Sequence, residues 1–93
     1  MLLDEYWVFE VEVGDGESLG HFLGRFRRAN ILSCKTLAEY LGVRFEWVRA
    51  WEVPSLRRNP TDLQLIALSK LVRVSPQRLS EMLPPEDLHL ATR

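Results

Sequence analysis

From Tyr6 to Val13 the chain alternates: Trp7, Phe9, Val11 and Val13 fall on one side, Glu10 and Glu12 on the other. That two-residue period predicts a β-strand. Gly14-Asp15-Gly16 breaks the run. Ser18 then offers an N-cap oxygen for a first helix, whose apolar positions Leu19, Phe22, Leu23, Phe26 and Ala29 recur at helical spacing. Gly20 and Gly24 lie four apart and so share a face of it, although each costs roughly 1 kcal/mol relative to alanine inside a helix. Either the helix tolerates slack there or another backbone approaches closely, and the N-terminal strand is the expected neighbour.

Ser33 caps a second helix running to about Tyr40, which Gly42 ends by supplying a left-handed conformation. A third helix covers about Arg44 to Glu52 and is closed by Pro54. Val48 and Trp51, three apart, share one face of it, with Glu46 and Arg49 opposite or nearly so. After Pro60, Thr61 and Gln64 form a capping box for a fourth helix, whose inward stripe reads Leu63, Ile66, Ala67 and Lys70-Leu71. Ser75-Pro76 opens a fifth helix through Leu79, Met82 and Leu83, stopped by Pro84-Pro85. Glu86 to Arg93 has no cap and little periodicity, as expected of a frayed tail. The prediction is all-α: a compact five-helix domain over residues 18–85, preceded by an extended or β segment (1–17) and followed by a tail (86–93).

Composition narrows the class. With 93 residues, 46% hydrophobic and 27% charged, the chain suits one core, because so short a chain buries only about two-thirds of its unfolded surface. Its net charge of -1 and isoelectric point near 6.1 provide no global field to draw a polyanion, so any basic surface must be local. The single cysteine, Cys34, excludes an intramolecular disulfide and a Cys-x-x-Cys metal site, and points to a reducing compartment. No apolar run reaches membrane-spanning length and the acidic start Asp4-Glu5 does not resemble a signal peptide, so a cytoplasmic location is expected.

Catalysis finds little support. His21 and His89 are far apart, and neither a phosphate-binding glycine loop nor a metal cluster is present, so a non-enzyme without cofactor is expected. Cys34, just inside a helix start, has two readings: a thiol of lowered pKa, or a small buried apolar group with no chemistry.

The chain pattern Leu37-Ala38-x-x-Leu41-Gly42-Val43, then Val48, Trp51-Glu52, Asn59-Pro60 and Leu65-x-x-Leu68-x-x-Leu71 resembles the Xre or phage-repressor class of helix-turn-helix over about residues 18–83. The resemblance implies that Ala38 lets two helices cross closely, that Gly42 makes the turn, and that Val48 and Trp51 anchor the third helix. A DNA reader would present small polar or basic groups from the start of that helix, where this chain carries Arg44, Phe45, Glu46, Trp47, Arg49 and Ala50. Glu46 would face phosphates, and Trp47 is bulky for a groove. Phe45 and Trp47 therefore read either as partly buried cover for a small core or, with Arg49, as a protein-binding face. The cluster Arg25, Arg27, Arg28, with Lys35 nearby, and the pair Arg57-Arg58 read either as solvated faces or as contacts to nucleic-acid phosphate.

A narrower resemblance is carried by Glu17-Ser18-Leu19-Gly20-His21-Phe22-Leu23-Gly24-Arg25-Phe26-Arg27-Arg28-Ala29-Asn30 with Leu32-Ser33, by Trp7-Val8-Phe9, by Arg49-Ala50-Trp51-Glu52 and by Met82-Leu83-Pro84-Pro85. These resemble the TniQ family, the targeting adaptors of CRISPR-associated transposons, especially its short cyanobacterial-type members. Such proteins continue into paired Cys-x-x-Cys zinc modules that this sequence lacks, which fits an isolated N-terminal domain or a minimal relative. The resemblance implies an adaptor that binds the AAA+ ATPase TnsC and links it to a target-selecting complex, an RNA-guided Cas effector with its guide or tracr RNA, with DNA contact weak or indirect. It also implies that Trp7 and Phe9 form part of the TnsC-binding surface, whereas from the residues alone the apolar side of an unpaired strand either packs on the domain's own helices or waits for a partner. The other function class is a small Xre-like transcriptional regulator binding DNA as a dimer, which the generic fold alone permits.

Overall fold

The computed structural model describes residues 8–53, 56 and 58–83, and within them the chain is all-α. Five helices follow one another: α1 (Leu19–Ala29), α2 (Cys34–Leu41), α3 (Phe45–Glu52), α4 (Asp62–Val72) and α5 (Pro76–Glu81). Four begin on a hydroxyl. Ser18, Ser33, Thr61 and Ser75 accept from the backbone N–H groups of His21, Thr36, Gln64 and Arg78, satisfying donors that a helix start leaves orphaned. Thr61 and Gln64 complete the capping box, Gln64 Oε1 accepting from the Thr61 N–H at 2.8 Å. Only α3 starts without a side-chain cap, on Arg44, with Glu46 in its first turn beside the positive end of the helix.

The core is assembled from Leu19, Phe22, Leu23 and Phe26 of α1, Leu37 and Ala38 of α2, Val48 and Trp51 of α3, Leu65, Leu68, Leu71 and Val72 of α4, and Leu79 and Met82 at the α5 end. Each large side chain so buried stabilises the fold by about 1.5–3 kcal/mol relative to exposure. α2 packs most extensively on α3, α1 lies against α3, and α5 lies against α4, with Ala38 of α2 buried. The α2–α3 turn is made by Gly42, left-handed at φ 73°, with the Val43 N–H donating to the Ala38 carbonyl at 3.0 Å. Leu19 N–H donates to the Met82 carbonyl at 3.0 Å, so the start of α1 is tied to the end of α5.

Four sequence expectations change. Residues 8–13 are extended but form no strand among the described residues; Val8, Val11 and Val13 pack on the core while Phe9 is 74% exposed. Val8 and Val11 are three apart, which a strict pleat would put on opposite sides, and the described residues include no second strand to impose that pleat. Side chains hold the segment instead. In α4 the buried stripe is Leu65, Leu68, Leu71 and Val72, whereas Leu63 and Ile66 are exposed, Ala67 is half-buried and Lys70 points to solvent. That helix is apolar nearly all round, so two interleaved stripes fit the period and only packing selects one. Ala29 is exposed at the end of α1. The backbone approaching Gly20 belongs to the α3 end, not to the N-terminal segment.

Candidate functional site

The first surface is built around the end of α1. Asn30 follows the helix and uses its side-chain amide twice on one residue: Oδ1 accepts from the Phe9 N–H, and Nδ2 donates to the Phe9 carbonyl at 3.1 Å. Nδ2 also donates to the Phe26 carbonyl at 2.9 Å, which locks the amide to the helix. Asn30 thereby replaces the missing partner strand at a single rung. With its backbone pinned, Phe9 leaves its ring in solvent.

Beside it, Ile31 occupies the left-handed region at φ 55°. The Leu32 N–H donates to the Arg27 carbonyl at 2.8 Å and the Ile31 N–H to the Arg28 carbonyl at 3.2 Å, the pair of bonds that defines a Schellman ending. Glycine usually holds that left-handed position, and a β-branched residue there costs on the order of 1–2 kcal/mol. Leu32 turns inward against the core while Ile31 is 91% exposed. Sequence reasoning missed Ile31; its one signal is the absence of Gly or a second Asn between α1 and the Ser33 cap. Trp7, the other aromatic of the predicted strand, lies outside the described residues.

The second surface is on α3. Phe45 is exposed at its start, Arg49 is exposed one turn on, and Trp47 is half-buried against the core. The guanidinium carbon of Arg58 lies 4.4 Å from the centroid of the Trp47 ring, a cation–π contact from the α3–α4 connection. The aromatic pair thus divides: Trp47 covers core, and Phe45 is offered to solvent.

The basic residues divide too. Arg25 reaches back to Glu17 through Nε (2.7 Å) and Nη2 (2.8 Å), and Nη2 also donates to the Glu12 carbonyl at 2.6 Å. Glu17 in turn accepts from the Gly14 N–H at 2.8 Å and lies 2.6 Å from His21 Nδ1. The Arg25 guanidinium, joined by the Gly14 and His21 contacts, holds the Glu17 carboxyl down to about 2 despite its burial. Arg27 forms a bidentate pair with Glu52 at 2.8 and 2.9 Å and donates to the Leu32 carbonyl at 3.1 Å, with both side chains mostly buried. The fork raises the Arg27 pKa above its usual range. Arg25 and Arg27 therefore anchor the N-terminal segment and the α1–α3 junction, and they contribute little to an open basic patch. Arg28 and Lys35 are exposed with no ion pair among the described residues. Arg57 lies outside the described residues.

Cys34 is half-buried, its Sγ 4.0 Å from Glu52 Oε2. Burial first, and then the Glu52 charge, push the thiol pKa up, so the reading of a lowered thiol pKa at a helix start is corrected. The loss of water and the neighbouring carboxylate outweigh the opposing charges of Arg27 and Arg49. Among the described residues no group of three or more His, Cys, Asp or Glu is placed to hold a metal ion, and no helix is long and apolar enough to cross a membrane.

A cavity of about 370 Å³ opens between the start of α1, the end of α3 and α5. Leu19, Gly20, Ala50, Trp51, Pro60 and Met82 form its walls, with Arg58 and Arg78 among its polar lining. No protein-family model matches the chain, and no curated protein sequence matches it.

Proposed function

We propose that the chain is a non-catalytic, TniQ-like transposition adaptor that binds the AAA+ ATPase TnsC and couples it to a target-selecting, RNA-guided Cas complex in the cytoplasm. The observation that carries this reading is the pair Phe9 and Ile31. Asn30 fixes one and a strained turn fixes the other, and both stand in solvent on a domain whose core is already closed. Strain held at an exposed apolar residue fits a contact made with another molecule. Phe45 and Arg49 on α3 form a second face of the same chemistry, and Arg28 and Lys35 supply cations for guide or tracr RNA phosphate. The resemblance of helix α1 to the TniQ opening names the partner.

The test is a pull-down of purified TnsC by the chain and by a W7A/F9A variant. Loss of TnsC with an unchanged helical circular dichroism spectrum supports the proposal; retained binding overturns it. The second reading, an Xre-like regulator that binds DNA, is favoured by exposed Arg44, Arg49 and Lys35 on the α2–α3 unit. A gel shift with the element's end sequences and promoter separates the two, since tight sequence-specific binding by this chain alone would establish the regulator.

A further inference from the structure

The cavity at the α1–α3–α5 junction shares no lining residue with the Phe9 surface. We propose that it binds a short acidic peptide segment of a partner protein, which inserts one leucine- or phenylalanine-sized side chain.

Size and lining set the first limit. At about 370 Å³ the cavity lies at the small end of the ~300–1,000 Å³ range of ligand sites. It has room for one or two large side chains. Its walls at Leu19, Pro60 and Met82 are apolar, which selects a hydrophobic occupant.

Trp51 sets the second. It lines this cavity and is 5% exposed, yet its indole N–H has no hydrogen-bond partner among the described residues. Buried tryptophan donors usually find an acceptor. That N–H is itself sealed from solvent, so what Trp51 offers an occupant is apolar indole ring surface, which favours a leucine- or phenylalanine-sized side chain.

Charge sets the third. Arg58 and Arg78 line the cavity and form no ion pair among the described residues. Of the two acids there, Glu17 is already neutralised by Arg25, which leaves Glu81 alone against two arginines. The balance is positive, so acidic residues flanking the inserted side chain are favoured and lysines are opposed.

The experiment titrates the 15N-labelled full chain with acetyl-Asp-Leu-Phe-Glu-amide and follows the Trp51 indole resonance, assigned by elimination with W7F and W47F. The expected result is a saturable shift of that resonance as the inserted side chain packs beside the indole ring. Affinity should fall about three- to tenfold in R58Q/R78Q, and should weaken with added salt in the unmodified chain, which keeps the charge argument testable if the variant unfolds. No saturable movement of the Trp51 resonance overturns the proposal, as does equal binding of acetyl-Lys-Leu-Phe-Lys-amide. Equally tight binding of phenylacetate alone overturns it in favour of a small-molecule site.

Discussion

The carbonyl oxygen of Trp51 lies so close to Gly20 that a Cβ added to the glycine would stand 2.5 Å from it, and 3.2 Å from the Glu52 Cα. Both obstacles are backbone and neither can swing away. Gly20→Ala should therefore destabilise the domain by about 1–2 kcal/mol, overpacking outweighing the roughly 1 kcal/mol regained in helix propensity. At Gly24 a Cβ meets only the Arg28 guanidinium at 3.3 Å, the end of a flexible side chain. Gly24→Ala should leave stability unchanged or raise it by up to about 1 kcal/mol. Urea unfolding of the two variants checks the difference in sign.

Arg27 and Glu52 join the end of α1 to the end of α3. Because both side chains are mostly buried, removing one partner strands the other's charge. Arg27→Ala should cost about 1–3 kcal/mol, between the values for exposed and for fully buried pairs. Arg27→Lys should recover little, since an ammonium cannot reproduce the two-pronged fork. Thermal melts of both variants measure this.

The Glu17 carboxyl has a folded pKa of about 2 against an ordinary 4.5. Between those values the unfolded chain takes up a proton at Glu17 that the folded chain refuses, so stability falls as pH drops. The contribution is fully present above pH 4.5 and is lost by pH 2. In Glu17→Gln this part of the acid dependence should vanish, and stability at neutral pH should drop toward the acid value of the unmodified protein. Denaturant titrations across that window test the sign; an unchanged acid slope would refute the role given to Glu17.

Ile31→Gly should relieve the left-handed strain of about 1–2 kcal/mol while adding roughly 0.5–1 kcal/mol of chain flexibility, for a small net gain in stability. Ile31→Asn should behave similarly. If Ile31 is a contact residue, both variants should melt at the same temperature or higher and yet lose TnsC in a pull-down, a trade of activity for stability.

Cys34, with its thiol pKa pushed up by burial and by Glu52, should react with iodoacetamide at pH 8 more slowly than the same thiol in urea-unfolded chain. Equal rates in the two states would contradict that environment.

Local chemistry made the helices legible. Four hydroxyl caps, the Thr61–Gln64 box and Gly42 announce where helices begin and turn because each acts within three or four residues of itself. The inward faces of α1, apart from Ala29, and of α3 were legible as well, since polar residues separate their apolar stripes. In α4 they do not, and Leu63 and Ile66 were placed on the wrong side. The Schellman ending at Ile31 was invisible for a related reason: no local rule calls for isoleucine at a left-handed position.

The candidate sites show the same divide. Phe9 and Phe45 each read from the sequence either as cover for the core or as a contact for a partner, and their exposure, with the opposite fate of Trp47 beneath Arg58, follows from which helices surround them. Arg25 and Arg27 read as part of a basic cluster until their acids, 8 and 25 residues away in sequence, came alongside. For this protein, then, the amino-acid order alone determined an all-α chain with a helix-turn-helix at its centre. Tertiary structure decided which apolar face is buried, which arginines keep an open charge, and where a cavity opens beside Trp51. The physical reason is range: caps and turns act between near neighbours, whereas burial and ion pairing depend on segments that meet only after the chain has folded.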